Sequence, residues 1–177
     1  EPVLVNWTHP NNQELLVWCL FNHGRGTVKN YVRGLQPISG TATWARNQYG
    51  DAISVATSLA LPVFLRLPWP VTLSFRWLPT AAPNSEYQVI AGCVYGAAPW
   101  SPYLVAQGAA STYYYDLEWV SNTSQGNVSS AVTPTVGLLS HVVGVITATT
   151  QTLYLNGAVI ASATNSISNC AYSGTTP

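Results

Sequence analysis

The chain has 177 residues and a formal net charge of zero, and 7% of its residues are charged while 47% are hydrophobic. Its six basic and six acidic residues are too few and too evenly balanced to displace the counterions of a nucleic acid, so we expect no nucleic-acid partner. The most apolar window, SLALPVFLRLPWPVTL, is interrupted by prolines and an arginine and falls short of the roughly 20 apolar residues that span a bilayer, so we expect no membrane partner either.

The first predicted strand is ELLVWCLF, a short apolar run that stops at Asn22. A chain of this size fits one domain, and we expect a single domain over residues 1–177, with an N-terminal arm at 1–13 and a C-terminal tail at 171–177. The three cysteines form no CxxC pair, which predicts buried reduced thiols. A bridge between Cys19 and Cys170 is the alternative that an extracellular setting would allow.

Three further segments predict β-strands in the middle of the chain. VTLSFRWL alternates apolar and polar residues, which is the period-2 pattern of a half-buried strand. YQVIAGCVYG at 87–96 and YYYDLEWV at 113–120 are interpreted similarly, because clusters of Pro, Gly, Ser and Asn separate them. The residues placed on the buried face of the first segment are Val71, Leu73, Phe75 and Trp77.

The C-terminal third predicts a three-stranded antiparallel meander. HVVGVITA and TLYL are strands separated by a polar TTQ turn, and AVIAS is the third strand. Asn156 and Gly157 both tolerate positive φ, so they suit a two-residue type I′ turn between the last two strands. The predicted cross-strand pairs are Leu155 with Ala158, Tyr154 with Val159 and Leu153 with Ile160. The predicted core face of this hairpin comprises Leu153, Leu155, Ala158 and Ile160.

The many short strands and the lack of helical periodicity predict an all-β fold. The architecture that fits is a two-layer antiparallel β-sandwich, in which the inner faces of both sheets bury alternate residues. No internal repeat competes with this interpretation.

The run HVVGVITATTQTLYLNGAVIASAT resembles the signature of laminin G-like domains, which belong to the concanavalin A-like lectin/glucanase superfamily. In that signature a His opens a strand, an aliphatic-Tyr-aliphatic strand follows a short polar turn, and AsnGly precedes a small apolar strand. LLVWCLFNHGRGTVKNYVRG and WARNQYGDAISV are similar to the opening strand and to a later segment of the family. The resemblance covers most of the chain and implies a jelly-roll sandwich.

A narrower resemblance lies in VNWTHPNNQELLVWCLFNHGRG. Its Asn-Trp-x-His-Pro opening is similar to laminin G-like proteins encoded by tailed bacteriophages, several of which are thought to sit on the virion surface. The resemblance implies a virion-surface location and, as partners, the major capsid protein or other virion proteins. It also implies contact with host-surface glycans, and we expect a homo-oligomer.

Glucanases of the superfamily place three carboxylates on one strand, because one must attack the anomeric carbon and another must protonate the leaving oxygen. This chain offers only Asp116 and Glu118, which are two apart and therefore share a face of a strand. We interpret both as solvated acids on an outer face, opposite Tyr115, Leu117 and Trp119. We therefore expect no enzymatic activity.

Calcium is a frequent ligand of the resembled family, held by carboxylates and carbonyls at the rim of the sandwich. The candidate ligands in this chain are Asp51, Asp116 and Glu118. No EF-hand loop is present, so our expectation is a chain without a cofactor, with calcium as the open alternative.

Aromatic residues are the more promising surface feature, because the CH faces of sugar rings stack on Trp and Tyr. Trp100 and Tyr103 lie in the loop GAAPWSPY, Tyr114 lies in the next strand, and Trp69 lies in the rigid apolar segment LPWP. These four residues are our candidates for contact with a glycan or a partner protein. Most of the other Trp and Tyr side chains are expected to fill the core or interfaces.

Two functions stay open on the sequence alone. The leading hypothesis is a non-catalytic phage virion surface protein, a capsid decoration or fibre-associated protein with weak glycan binding. The alternative is a secreted, calcium-dependent carbohydrate-binding module.

Overall fold

The computed structural model describes residues 29–30, 36–37, 39–60, 70–81, 87–92, 103–109, 112–120 and 125–164. Side-chain environments are described for residues 43–53, 70–81, 115, 117 and 127–164. The chain divides into two compact units, Glu1–Val63 and Phe64–Pro177. The predictions for ELLVWCLF, for the arm and tail, and for the three cysteines concern residues outside the described ranges. They stay predictions.

Across the described ranges the chain is all-β, with antiparallel sheets and no helix, as its alternating pattern predicted. A membrane-spanning helix is accordingly not found among those residues. The strands in chain order are β1 (Lys29–Asn30), β2 (Gln36–Pro37), β3 (Ser39–Asn47), β4 (Gly50–Ala60), β5 (Val71–Trp77), β6 (Tyr87–Gly92), β7 (Tyr103–Ala109), β8 (Thr112–Val120), β9 (Gln125–Ser129), β10 (Ser140–Ile146), β11 (Thr150–Leu155) and β12 (Ala158–Thr164).

In the first unit, β1 pairs with β2, and β3 pairs with β4 to form a long hairpin. At the hairpin turn, Asn47 Oδ1 accepts a hydrogen bond from the Tyr49 N–H at 2.8 Å. Gly50 follows with a φ of +114°, a conformation that favours glycine. WARNQYGDAISV therefore supplies the end of one strand, its turn and the start of the next.

The described residues of the second unit form two four-stranded antiparallel sheets, with strand orders β12-β11-β10-β5 and β6-β7-β8-β9. β8 and β9 lie against β11 and β12, and a hydrophobic core forms from residues of both sheets. This arrangement is consistent with a β-sandwich. The buried members of the core are Tyr115, Leu117, Val128, Val142, Ile146 and Leu153.

β5 confirms the predicted alternation. Its polar residues Thr72, Ser74 and Arg76 are exposed, whereas the apolar residues between them are buried or half-buried. Successive side chains of a strand point to opposite faces, so one face of β5 joins the core and the other meets solvent. The apolar residues on the inner face are Val71, Leu73, Phe75 and Trp77, as predicted.

Gly144 marks a close approach between the two sheets. A Cβ atom added at Gly144 would lie 2.6 Å from Leu117 Cδ1 and 3.1 Å from Leu117 Cδ2. Leu117 has no exposed surface, so its methyl groups occupy the space that a side chain at position 144 would need. A glycine in the middle of β10 therefore lets β8 pack directly onto that strand.

The turn of the C-terminal hairpin forms as predicted. Asn156 and Gly157 have φ values of +51° and +87°, as a two-residue type I′ turn requires. Asn156 also ties the turn to β10. Its N–H donates to the His141 carbonyl oxygen at 2.8 Å, and its Oδ1 accepts from the His141 N–H at 2.9 Å.

A β-bulge in β12 changes the register beyond this turn. The predicted pairs next to the turn are present, namely Leu155 with Ala158 and Tyr154 with Val159. Leu153, however, lies opposite Ala161, so its predicted pairing with Ile160 is wrong because the bulge adds one residue to β12. Ile160 and Ala161 both pack against the core, whereas Ala158 is exposed and its predicted place on the core face is wrong.

The turn between β10 and β11 lies earlier than the sequence predicted. β10 ends at Ile146, and Thr147 Oγ1 accepts hydrogen bonds from the N–H groups of Thr149 and Thr150 at 3.1 and 2.9 Å. Gln151, predicted to belong to the polar turn, instead lies in β11 and is 1% exposed. Gln151 and the buried Leu153 are two residues apart, so their side chains point to the same face of β11. Position in the strand therefore buries Gln151 although its side chain is polar.

Candidate functional site

The inner face of β8 fixes where the predicted acidic residues lie on that strand. Tyr115 and Leu117 have no exposed surface and belong to the core. Because side chains alternate along a strand, positions 114, 116 and 118 lie on the other face of β8. The predicted site residues Tyr114, Asp116 and Glu118 therefore occupy positions on one face of the sheet.

Cross-strand register adds a fourth predicted residue to this face. Glu118 lies directly opposite Tyr103 on β7 and opposite Asn127 on β9. Asp116 lies opposite Ser129, and both Asn127 and Ser129 are exposed. The topology thus brings one aromatic and one acidic position together across β7 and β8. The side chains of residues 103, 114, 116 and 118 lie outside the described part, so their roles stay predictions.

The remaining predicted site residues are Trp69, Trp100 and Asp51. Trp69 and Trp100 lie outside the described residues. Asp51 belongs to the first unit, where it is half-buried on β4 directly opposite Arg46. The described side chains contain no group of three or more His, Cys, Asp and Glu residues that could hold a metal ion. Calcium binding by Asp51, Asp116 and Glu118 stays the open alternative to a chain without a cofactor.

The hydroxyl group of Tyr115 is one of two buried side-chain polar atoms, together with Gln151 Oε1, that have no hydrogen-bond partner in the described part of the chain. Its ring packs edge to face on Trp77, with centroids 5.9 Å apart. Burial raises the pKa of the Tyr115 phenol above its usual value, and the nearby Ser140 hydroxyl offsets part of that rise. The two hydroxyls do not reach hydrogen-bond geometry, so Tyr115 Oη is buried without a partner. A buried hydroxyl without a partner lowers the free energy of unfolding unless a buried water molecule forms a hydrogen bond with it.

Tyr115→Phe is expected to leave the free energy of unfolding unchanged or to raise it by up to about 1 kcal/mol, because it removes a desolvated hydroxyl and keeps the ring. The raised pKa predicts a pH dependence as well. A raised pKa means that folding favours the neutral phenol of Tyr115. This contribution to the free energy of unfolding of the wild type is fully present below the phenol's ordinary pKa and is lost as the pH rises through the folded-state pKa. The difference between the two proteins should therefore grow above about pH 10.

Urea denaturation at pH 7, 10 and 11 measures this difference, and Tyr154→Phe on the outer face of β11 is the matched control. A loss of more than about 1 kcal/mol for Tyr115→Phe at pH 7 would show that the hydroxyl has a partner.

A second feature, which the sequence interpretation missed, is an apolar loop tip between β9 and β10. Val136 and Leu138 are each 47% exposed. Leu138 N–H donates to the Thr135 carbonyl oxygen at 3.1 Å and Gly137 has a φ of +80°, which together define a type II turn. The Gly137 N–H donates to the Pro79 carbonyl oxygen at 2.8 Å, which ties the tip to the end of β5. The sequence signal was Val-Gly-Leu-Leu after a proline, a turn flanked by aliphatic residues.

Comparisons with protein-family models, with curated proteins and with solved structures found no match to this chain. Its function is therefore argued from the geometry of its own residues.

Proposed function

We propose that this chain is a non-catalytic laminin G-like protein of a phage virion surface, a capsid decoration or fibre-associated protein with weak glycan binding. The proposal includes a two-layer sandwich of the concanavalin A-like jelly-roll type. Two antiparallel sheets that share a core support that architecture, and the Asn-Trp-x-His-Pro opening of the sequence supports the setting.

The observation that carries the proposal is the apolar tip formed by Val136 and Leu138. Two aliphatic side chains of one turn, each 47% exposed, offer apolar surface that a partner protein would cover. The type II turn and the hydrogen bond to Pro79 hold the tip before any partner arrives. A tip that is already ordered loses little conformational entropy on docking, which favours binding to another subunit.

The segment that carries the tip contains no acidic residue, lysine or arginine, which favours a neutral protein surface as its partner. From Trp119 to Pro177 the chain contains no Asp, Glu, Lys or Arg. Basic residues would be needed to draw the tip towards an anionic membrane surface, and this segment has none. Neighbouring subunits of an assembly can approach such a surface without repulsion between like charges.

Mass spectrometry of purified phage particles from the source of this chain tests the proposal, which predicts that the protein is a stoichiometric component. Val136→Ser with Leu138→Ser is expected to reduce its incorporation at least about tenfold, if docking loses about 1.4 kcal/mol or more. Val159→Ser is the matched control, because Val159 is a 59% exposed aliphatic residue elsewhere in the same unit. Absence of the protein from the particles, or equal incorporation of both variants, would refute the proposal.

The alternative is a secreted, calcium-dependent carbohydrate-binding module, which the acidic positions 116 and 118 on one face of β8 favour. A glycan array with calcium and with a chelator separates the two functions. A single strongly bound glycan that is lost with the chelator would favour the alternative.

A further inference from the structure

The outer face of the sheet formed by β12, β11, β10 and β5 carries two basic side chains side by side. Arg76 on β5 lies directly opposite His141 on β10, and both residues are exposed. Residues directly opposite each other on antiparallel strands have Cβ atoms about 4.5–5.5 Å apart. The guanidinium group and the imidazole ring can therefore reach one small ligand together.

The imidazole of this pair is held in place by its neighbours. His141 Nε2 lies 2.9 Å from Ser74 Oγ on the adjacent strand. The His141 backbone is fixed by Asn156, because its N–H donates to Asn156 Oδ1 and its carbonyl oxygen accepts from the Asn156 N–H. Where Nε2 accepts the hydrogen of the Ser74 hydroxyl, the ring proton lies on Nδ1. Nδ1–H is the donor left for a ligand.

No carboxylate belongs to this sheet. β5, β10, β11 and β12 contain no Asp or Glu, and Arg76 is their only Lys or Arg. Arginine stays charged at every physiological pH, and no carboxylate of these strands neutralises Arg76. A bound anion would neutralise that charge and would accept the Nδ1–H hydrogen bond of His141, so the pair has a stronger physical reason to bind an anion than either residue alone.

An aromatic ring stands next to the pair on the same face. Tyr154 on β11 is half-exposed and lies directly opposite Val143, which is two residues after His141 on β10. Diagonal neighbours of this kind are about 7–8 Å apart, within reach of an aromatic side chain. Tyr154 therefore offers an apolar surface diagonal to His141, with Arg76 one strand further away.

We propose that Arg76, His141 and Tyr154 form a binding site for an acidic sugar, a pyranose that carries a carboxylate. Arg76 binds the carboxylate with two parallel N–H donors, a geometry in which arginine is preferred over lysine. His141 donates from Nδ1 to the same group, and the ring of Tyr154 packs on the CH face of the sugar. The inference rests on the glycan contact of the proposed function and is independent of a virion location.

The site has a characteristic dependence on salt. The groups that face His141 on this surface are Arg76 and Ser74 from β5, Asn156 from the hairpin turn and Tyr154 from β11, none of which is acidic. Salt screens exposed charges, so binding is expected to weaken between 50 and 500 mM NaCl.

Titration of the whole chain with trigalacturonate, followed by NMR at pH 6, tests the proposal. Weak binding is expected, with a Kd on the order of 1 mM, and the resonances of Arg76, His141 and Tyr154 should shift. The fully methyl-esterified trisaccharide is the matched ligand control, because it has the same rings without the charges. It should bind at least about tenfold more weakly, a difference of about 1.4 kcal/mol.

The protein variants separate this site from general charge effects. Arg76→Gln, His141→Gln and Tyr154→Leu should each weaken binding several-fold and leave the melting temperature nearly unchanged, because they replace side chains on an outer face. Arg46→Gln is the matched control, because Arg46 is an exposed arginine on β3 that lies opposite Asp51. This control should bind trigalacturonate as the wild type does.

Three results would overturn the proposal. They are equal binding of the charged and esterified sugars, equal losses in Arg46→Gln and Arg76→Gln, and inorganic phosphate binding as tightly as trigalacturonate. If the protein binds the sugar but is missing from virions, the proposed location fails and this site stands. If it is present in virions but binds no acidic sugar, the site fails and the location stands.

Discussion

Gly144→Ala is expected to lower the free energy of unfolding by about 2 kcal/mol. The added methyl group would lie 2.6 Å from Leu117 Cδ1, much closer than the 3.5–4.0 Å of an ordinary carbon–carbon contact. Leu117 is fully buried, so it can move away only by displacing its own neighbours. Overpacking of this kind typically costs about 1–3 kcal/mol, and the gain from restricting the unfolded chain at a former glycine offsets only part of it.

A double-mutant cycle with Leu117→Val identifies the cause of this loss. Valine lacks the Cδ atoms that crowd position 144, so it makes room for the new methyl group. The double variant should be more stable than the sum of the two single losses predicts, with a coupling free energy of at least about 0.5 kcal/mol. Urea denaturation of all four proteins gives this value. Strict additivity would mean that a methyl group at position 144 does not meet Leu117 Cδ1 at the 2.6 Å separation given above.

Alternation along single strands was predictable from the sequence, because it depends on local geometry alone. The buried and exposed positions of β5, from Val71 to Trp77, follow the period of two. Gly144 was missed although it left a signal, because an isolated glycine inside a strand pattern indicates a close approach of another element. Such a signal gives the position of the close approach but not the residue that fills it.

The bulge in β12 was not predictable from its turn. An Asn-Gly turn fixes the pairs next to it, and Leu155 does lie opposite Ala158. Further along, the register depends on which residues the core accepts. β12 uses the bulge to place both Ile160 and Ala161 against the core, which a strand without a bulge could not do.

The candidate sites depend on which strands are neighbours. Local sequence patterns predict the strands but do not show which of them pair. Ser74 and His141 are 67 positions apart in the chain, and they meet because β5 pairs with β10. Tyr103 and Glu118 meet because β7 pairs with β8. The residue types were visible in the sequence, and the topology supplied their partners.

Leu153→Ala is expected to lower the free energy of unfolding by about 4–5 kcal/mol, the upper part of the range for a buried leucine. Leu153 has no exposed surface. Its cross-strand neighbours are Gly144 and Ala161, which have little or no side chain to move into the space that leucine would leave. The cost of a cavity increases with the volume that the neighbouring side chains do not fill. The loss of free energy of unfolding at Leu153 should therefore be near the upper end of the range for buried leucines.

The matched control for this cavity is Val159→Ala in the same hairpin, where the side chain is 59% exposed and a change within about 0.5 kcal/mol is expected. Chemical denaturation of both variants measures the two losses. Since β11 lies between β10 and β12, a destabilised Leu153→Ala protein should also bind trigalacturonate more weakly on warming, because unfolding removes the surface that carries His141 and Tyr154. A loss below about 2 kcal/mol for Leu153→Ala would mean that the two sheets do not enclose this residue.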